Sequence, residues 1–355
     1  MTVKSDVIAL LDHFSGLARE ARPAYALIML CHEPDGDGNV PLPLVGMAGA
    51  VILEGAVLET AREVVGKLGS DVENRTLPPP DPALGADYVC YNCTTAPLNY
   101  DFPHWLIDAE MTRVREGAPA PLKVAFWFGR DGKTGLKTPA MAQMFENVVR
   151  PMLGLIGAVE DDSAWRGRQK EVYVLRDVVA AARAGEKVPT FHSPKGFVLN
   201  GPVTITLREA DYDVDRNSNP DAWMSFAEYL RMQGERVIFV RDTARADEPL
   251  GDFVTCPAAS RDIHMRMALY ESAKANLFVS NGPSMLAVFG TRPWLIFMPA
   301  RPDNDDYRPA TVAFLRNSMG LEVGGQWPWS GPDQRIVWKP DDYANILAAW
   351  KALGL

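Results

Sequence analysis

Asn281-Gly282-Pro283-Ser284 is the stretch of this chain best suited to holding an anion. An apolar run of strand length, residues 276–280, precedes it, and small and apolar residues 285–289 follow as a short buried helix would. Gly290 ends that helix and residues 292–297 begin a second apolar strand, so the pattern is one βαβ unit. Ligands of open α/β sheets collect beyond the carboxyl ends of the strands, where this turn would sit. Gly282 allows close approach and Pro283 suits a first helical turn. Backbone N–H groups at a helix N-terminus favour a phosphate or carboxylate by roughly 0.3–2 kcal/mol. The same residues are ordinary helix caps, and that plainer reading stands beside the anion site.

Arg208 directly follows the β-branched run 203–207. A guanidinium at a strand's carboxyl end can grip a diphosphate through two N–H donors. Its alternative is a salt bridge to Glu209 or Asp211. Asn217 follows in Arg216-Asn217-Ser218-Asn219, close enough in sequence to join the same site. A helix over 263–275 offers Arg266 and Glu271, either toward a ligand or on a solvated face.

A proton acceptor is sought in the polar loop His32-Glu33-Pro34-Asp35-Gly36-Asp37-Gly38-Asn39, where His32, Asp35 and Asp37 are candidate general bases. Asp35-Gly36-Asp37 has the D-x-D form used for metal-bound nucleotide sugars, but a Gly/Asp turn explains it equally. It fails as a calcium loop, with Val40 at the sixth position and Gly46 at the twelfth. Asp211, Asp213 and Asp215 fail the same test. Cys90 and Cys93 have C-x-x-C spacing, yet zinc would need a second ligand pair, and a redox motif would open a helix where 92–97 reads as loop. No metal and no cofactor is therefore expected. G-x-G-x-x-G after the first strand, the phosphate-binding G-x-x-x-x-G-K-[ST] and the nucleophile elbow G-x-S-x-G are all missing. Trp327, Trp329 and Trp338 suggest either an aromatic wall for a sugar or core beneath a loop.

The elements that must position these residues alternate. Periodicity predicts helices over 6–20, 57–68, 105–115, 141–155 (kinked at Pro151), 177–184, 222–232, 263–275, 311–317 and 341–353. Strands are expected over 24–31, 86–93, 122–128, 172–175, 203–207, 236–240 and 253–256, besides the two of the opening unit. Residues 75–84 are a proline-rich surface crossing, 187–202 a Pro/Gly connection, and 303–307 an acidic loop. The expected fold class is α/β, with two Rossmann-like domains facing across a cleft. The domains are 1–188, 189–340 and a terminal helix in 341–355.

With 355 residues the chain is long for one domain and needs no disulfide staples. Its 47% hydrophobic and 23% charged residues are ordinary for a globular protein, and a net charge of −9 argues against nucleic acid as a partner. No apolar run reaches the roughly 18 residues of a membrane span. Asp6, Asp12, His13, Arg19 and Glu20 break any signal-peptide core, so a cytoplasmic location is expected.

Leu207-Arg208, Arg241-Asp242 after the run 237–240, and the stretch 278–287 together resemble the C-terminal domain of GT-B glycosyltransferases, heptosyltransferase-like or fucosyltransferase-like. The resemblance covers residues 203–297. It implies that the turn Ser280, Asn281, Gly282, Pro283, Ser284 holds the diphosphate of a nucleotide-sugar donor. Arg208 would assist, with Asn217 and Arg266 as further donor contacts. It further implies metal-independent transfer to a glycan or lipid-linked acceptor, and a terminal helix able to cross back to the first domain. Two features depart from the family: the histidine frequent in this turn is missing, with Met285 in its region, and the first loop is acidic rather than Gly-rich. Two other readings stay open, a nucleotide-sugar epimerase of the same fold and a non-catalytic ligand-binding or interaction protein.

Overall fold

The computed structural model describes residues 77–130, 132, 135–136, 138–169, 175–196, 201–300 and 311–355. The elements expected over 6–20, 24–31 and 57–68, the loop carrying His32, Asp35 and Asp37, and the acidic loop 303–307 lie outside the described residues.

Among the described residues, four short parallel strands form the first sheet. β1 (Tyr88–Asn92) is buried on both faces at Val89, Cys90 and Tyr91, as a strand covered on both sides must be. α1 (Phe102–Arg115) starts three residues earlier than its periodicity suggests, because Pro103 fits the first helical turn. β2 (Lys123–Trp127) lies parallel to β1, with Cys90 opposite Ala125. The single helix expected over 141–155 is three pieces. α2 (Pro139–Met144) is capped by Thr138, whose Oγ1 accepts from the Met141 N–H at 3.2 Å. A π-helical turn over Phe145–Val149 and a 3₁₀ run over Arg150–Ile156 follow. Pro151 has no N–H for an α-helical bond, and its ring would strike the carbonyl one turn back. β3 (Val159–Glu160) and β4 (Arg168–Gln169) complete the order β3-β2-β1-β4. Leu175, expected to end a strand, instead opens α3 (Leu175–Arg183).

The second sheet carries β5 (Val203–Thr206), α4 (Pro220–Met232), β6 (Val237–Val240), α5 (Pro257–Arg261), α6 (Ile263–Ser272), β7 (Ala275–Val279), α7 (Ser284–Val288), β8 (Trp294–Phe297), α8 (Val312–Met319), β9 (Gln334–Val337) and α9 (Tyr343–Leu353). Its order is β6-β5-β7-β8-β9, all parallel. The strand expected over 253–256 is reduced to two isolated bridges, Thr255 to Phe239 of β6 in parallel and Phe253 to Leu250 antiparallel. β9 was not expected. It is four residues long, and its alternation of buried Gln334 and Ile336 with Arg335 is too short to read as a period. In register, Thr206 pairs with Val240 and Phe278, so three strands end at one level.

Residues 78–128 and 135–355 form one compact unit, so the boundary expected at 188–189 lies within it. A single core contains Tyr91, Trp105 and Phe145 together with Phe278, Phe289 and Trp294. Within the stretch expected as a Pro/Gly connection, Phe191 is fully buried, its N–H donates to Phe289 O at 2.7 Å, and the His192 N–H donates to Leu155 O at 2.8 Å. The terminal helix α9, expected to be able to cross back, buries Ile346 and Trp350 on the second sheet's own core, with the Trp350 ring 5.9 Å from Phe226 on α4. Trp327 and Trp329 are core rather than a sugar-facing wall, packed on Trp294 at 5.7 Å and Phe289 at 5.5 Å.

Candidate functional site

The chain leaves β5 toward β6 on one side and returns to β7 on the other. That reversal is a topological switch point, the place where open α/β sheets bind ligands beyond the strand ends. Arg208, Asp242 and the turn 280–284 all emerge there, because β5, β6 and β7 end in register.

Arg208 is 5% exposed and serves its own loop. Its Nη1 donates to Asp213 O at 3.0 Å and to Asn217 Oδ1, and its Nη2 donates to Tyr212 O at 2.9 Å. Asn217 closes the loop in turn: its Oδ1 accepts from the Ala210 N–H at 3.1 Å and its Nδ2 donates to Ala210 O at 2.8 Å. The Ser218 hydroxyl accepts the Arg208 N–H at 2.9 Å. Neither side chain anticipated as a direct donor contact is therefore idle. Both hold residues 209–218 in one shape. Arg216 ties that loop to the next, its Nη2 donating to Ser280 O at 3.0 Å.

The turn after β7 is built differently from its sequence expectation. α7 has only five residues, too short for a helix-terminal anion site, and Ser284 is satisfied locally. The Ser284 N–H donates to Asn281 Oδ1 at 2.9 Å and its hydroxyl to Asn281 O at 2.6 Å. The close approach that Gly282 permits is made by the protein itself: a Cβ there would stand 2.7 Å from the Cβ of Tyr100. Asn281 Nδ2 is buried without a hydrogen-bond partner. Leaving such a donor unmade costs about 1–3 kcal/mol.

Arg266 is 3% exposed, in the first turns of α6. Its Nε donates to Ala259 O at 2.6 Å. Burial works against its charge, but Tyr100, Tyr270 and Asp242 around it hold the proton more firmly than usual. Tyr270 shares a hydrogen bond with Thr206 at 2.9 Å, which anchors α6 to the end of β5. Among the described residues, neither Arg208 nor Arg266 has a carboxylate at ion-pair distance. Asp242 accepts the Glu209 N–H at 2.6 Å, and burial raises its carboxyl above the ordinary value. The switch point thus holds two buried guanidinium groups compensated by dipoles and phenols, one weakened carboxylate and one unmet amide donor. Such a place attracts a desolvated anion.

A histidine does reach the turn, from another element. His104 on α1 lies with Nε2 2.9 Å from Met285 Sδ, and burial lowers its pKa so that the ring is neutral. Tyr100, His104 and Asp242 were missed as site residues. Arg241-Asp242 carried part of the family resemblance, but no local pattern links residue 100 or 104 to residue 282. Glu271, a candidate beside Arg266, faces elsewhere: it accepts the Ser193 N–H at 2.9 Å and pairs with His192 at 3.0 Å. His192 also meets the Thr190 hydroxyl at 2.9 Å, but its side chain is 62% exposed and the trio fastens residues 190–193 to α6. Cys90 and Cys93 are free and buried; burial pushes the Cys90 thiol up to about 12, far from a reactive thiolate. Among the described residues, no group of three His, Cys, Asp or Glu side chains could hold a metal, and no helix is long and apolar enough to cross a membrane.

No family model and no curated protein matches the sequence. Two solved structures are similar to it at low superposition. One is the iron-containing dodecameric glycosyltransferase TibC from enterotoxigenic E. coli H10407, 14% identical, with 75% of each chain covered and a TM-score of 0.41. The other is the glycosyl transferase family 9 protein from Veillonella parvula, 8% identical, with 75% of this chain and 95% of that one covered and a TM-score of 0.40. At such values the likenesses assign no substrate and no residue role.

Proposed function

We propose that this chain transfers a sugar from a nucleoside-diphosphate donor to an acceptor hydroxyl, without a metal, and that the diphosphate sits at the switch point of the second sheet. The observation that carries this reading is the pair of buried arginines, Arg208 and Arg266, which among the described residues have no carboxylate at ion-pair distance, beside the unmet Asn281 Nδ2. In direct displacement at the anomeric carbon, the bond to the diphosphate breaks as the acceptor oxygen bonds to that carbon. The developing negative charge would be met by fixed donors in a dry site, where they are strongest. In this reading Asn281 and Arg266 face the leaving group, and Arg208 with Asn217 positions the loop. A carboxylate or histidine of the first loop, Asp37, Asp35 or His32, takes the acceptor proton.

Thermal shift against UDP, GDP, ADP, CMP and dTDP, with and without EDTA, tests it. One diphosphate should raise stability by about 2.7 kcal/mol at a hundredfold excess over its Kd, unchanged by EDTA. Asn281→Asp keeps the Oδ acceptor for Ser284 and replaces the free donor by a negative charge, so it should abolish the shift without altering the fold. A shift equal in that variant would remove the switch point from the reading. Incubation with donor alone separates transfer from epimerisation. The non-catalytic reading has one observation in its favour, the Tyr100 ring seated on Gly282 where a donor would approach. Absence of any shift would favour it.

A further inference from the structure

Building on the anion site just proposed, we infer that Tyr212 is a stacking platform for the nucleobase of the bound nucleotide. Tyr212 is 75% exposed, more than any other large apolar side chain among the described residues. It stands on a loop that is anything but loose. Arg208 holds the carbonyls of Tyr212 and Asp213 together, at 2.9 and 3.0 Å. Asp213 has φ 50°, the one non-glycine among the described residues in the left-handed region, so the backbone is held in a sparsely populated conformation by its surroundings. The Arg208 guanidinium lies over the Tyr212 ring at 5.2 Å and backs one face of it. A ring fixed in advance loses little conformational freedom on stacking, which is how preorganised aromatic contacts gain affinity.

Charge decides which end of a nucleotide the platform takes. Asp211 and Asp215 are exposed beside Tyr212, and Asp213 pairs with Arg216 at 3.2 Å. These carboxylates repel phosphate and accept hydrogen bonds from ring N–H and amino groups, so the ligand part at Tyr212 is a neutral, N–H-bearing heterocycle. The phosphates belong toward Ser280, whose carbonyl Arg216 of this same loop bonds at 3.0 Å, and its neighbour Asn281. One rigid piece therefore offers an aromatic face at its rim and an anion site at its root.

Calorimetric titration of the intact chain with UDP, GDP, ADP and inorganic pyrophosphate tests this. Tyr212→Ala keeps the backbone carbonyl that Arg208 binds, and an unchanged melting temperature would report the loop intact. The variant should bind the preferred nucleoside diphosphate about tenfold more weakly, while pyrophosphate affinity stays within twofold and Tyr212→Phe binds as the native chain does. Native-like nucleotide affinity in Tyr212→Ala, or equal losses for nucleotide and pyrophosphate, would overturn the stacking role while leaving the anion site standing. A native chain that binds neither pyrophosphate nor any diphosphate would overturn both.

Discussion

Two neighbouring strands of the second sheet each end in a buried arginine, and the two are compensated in opposite ways. Arg241, after β6, is held by a carboxylate: its Nε donates to Glu209 Oε2 at 3.0 Å and its Nη2 to Glu209 Oε1 at 2.5 Å. Arg208, after β5, is equally buried, at 5% exposure for both, and meets only carbonyl and amide oxygens. A carboxylate cancels a guanidinium at long range, whereas carbonyl dipoles satisfy its hydrogen bonds and leave its charge. The arginine with no carboxylate in direct contact follows β5, and the one paired with Glu209 follows β6. Burial alone does not tell these two arginines apart; their partners do.

Arg241→Met should break the comparison most severely. It leaves the nearly buried Glu209 with only the more distant Arg245, at 3.9 Å, among its described cation partners, and a loss of about 3 kcal/mol is expected in urea denaturation, with nucleotide affinity changed little. Adding Glu209→Gln should recover most of that loss. Arg208→Ala is expected to cost less stability, about 1–3 kcal/mol, since solvent can reach the loop carbonyls it leaves. Diphosphate binding should nonetheless fall below detection in titration, because the loop loses its shape. Comparable binding losses in both variants would erase the distinction drawn between the two strand ends.

The end of β7 extends the comparison, since His104 there is neutral. Its proton affinity in the folded chain is depressed by burial below the ordinary value of 6.5, so the unfolded chain binds the extra proton first. Stability from this group is therefore complete above the unfolded pKa and declines as pH falls through 6.5 toward the folded value. Native protein should lose more stability between pH 7.5 and 5.5 than His104→Gln does, as measured by paired denaturation curves. Equal slopes would mean that the ring is charged or exposed in solution.

Much of the second sheet was legible because each strand is a short apolar run closed by a polar or glycine-containing turn. β5, β6, β7 and β8 were placed within two residues. β9 and the Thr255 bridge escaped because edge pairing needs few residues and leaves little pattern. Arg208 and residues 280–284 could be grouped from the sequence because they follow strand ends, whereas Asn217 lies farther along the loop after β5 and Arg266 lies within α6. Their individual roles were not legible. Gly282 reads the same in sequence whether a ligand or Tyr100 covers it, and Arg208 reads the same whether it grips a phosphate or a carbonyl.

The sequence by itself determined the alternation of strands and helices, and therefore two parallel α/β sheets whose strand ends gather polar residues. It did so because periodicity and turn chemistry are local. Only the tertiary structure decided how those residues are compensated. It brought Tyr100 and His104 from α1 and its approach onto a turn some 180 residues away. It paired Arg241 with Glu209 and gave Arg208 carbonyl and amide oxygens as its hydrogen-bond partners. Charge compensation depends on distances across strands and helices that no spacing along the chain encodes.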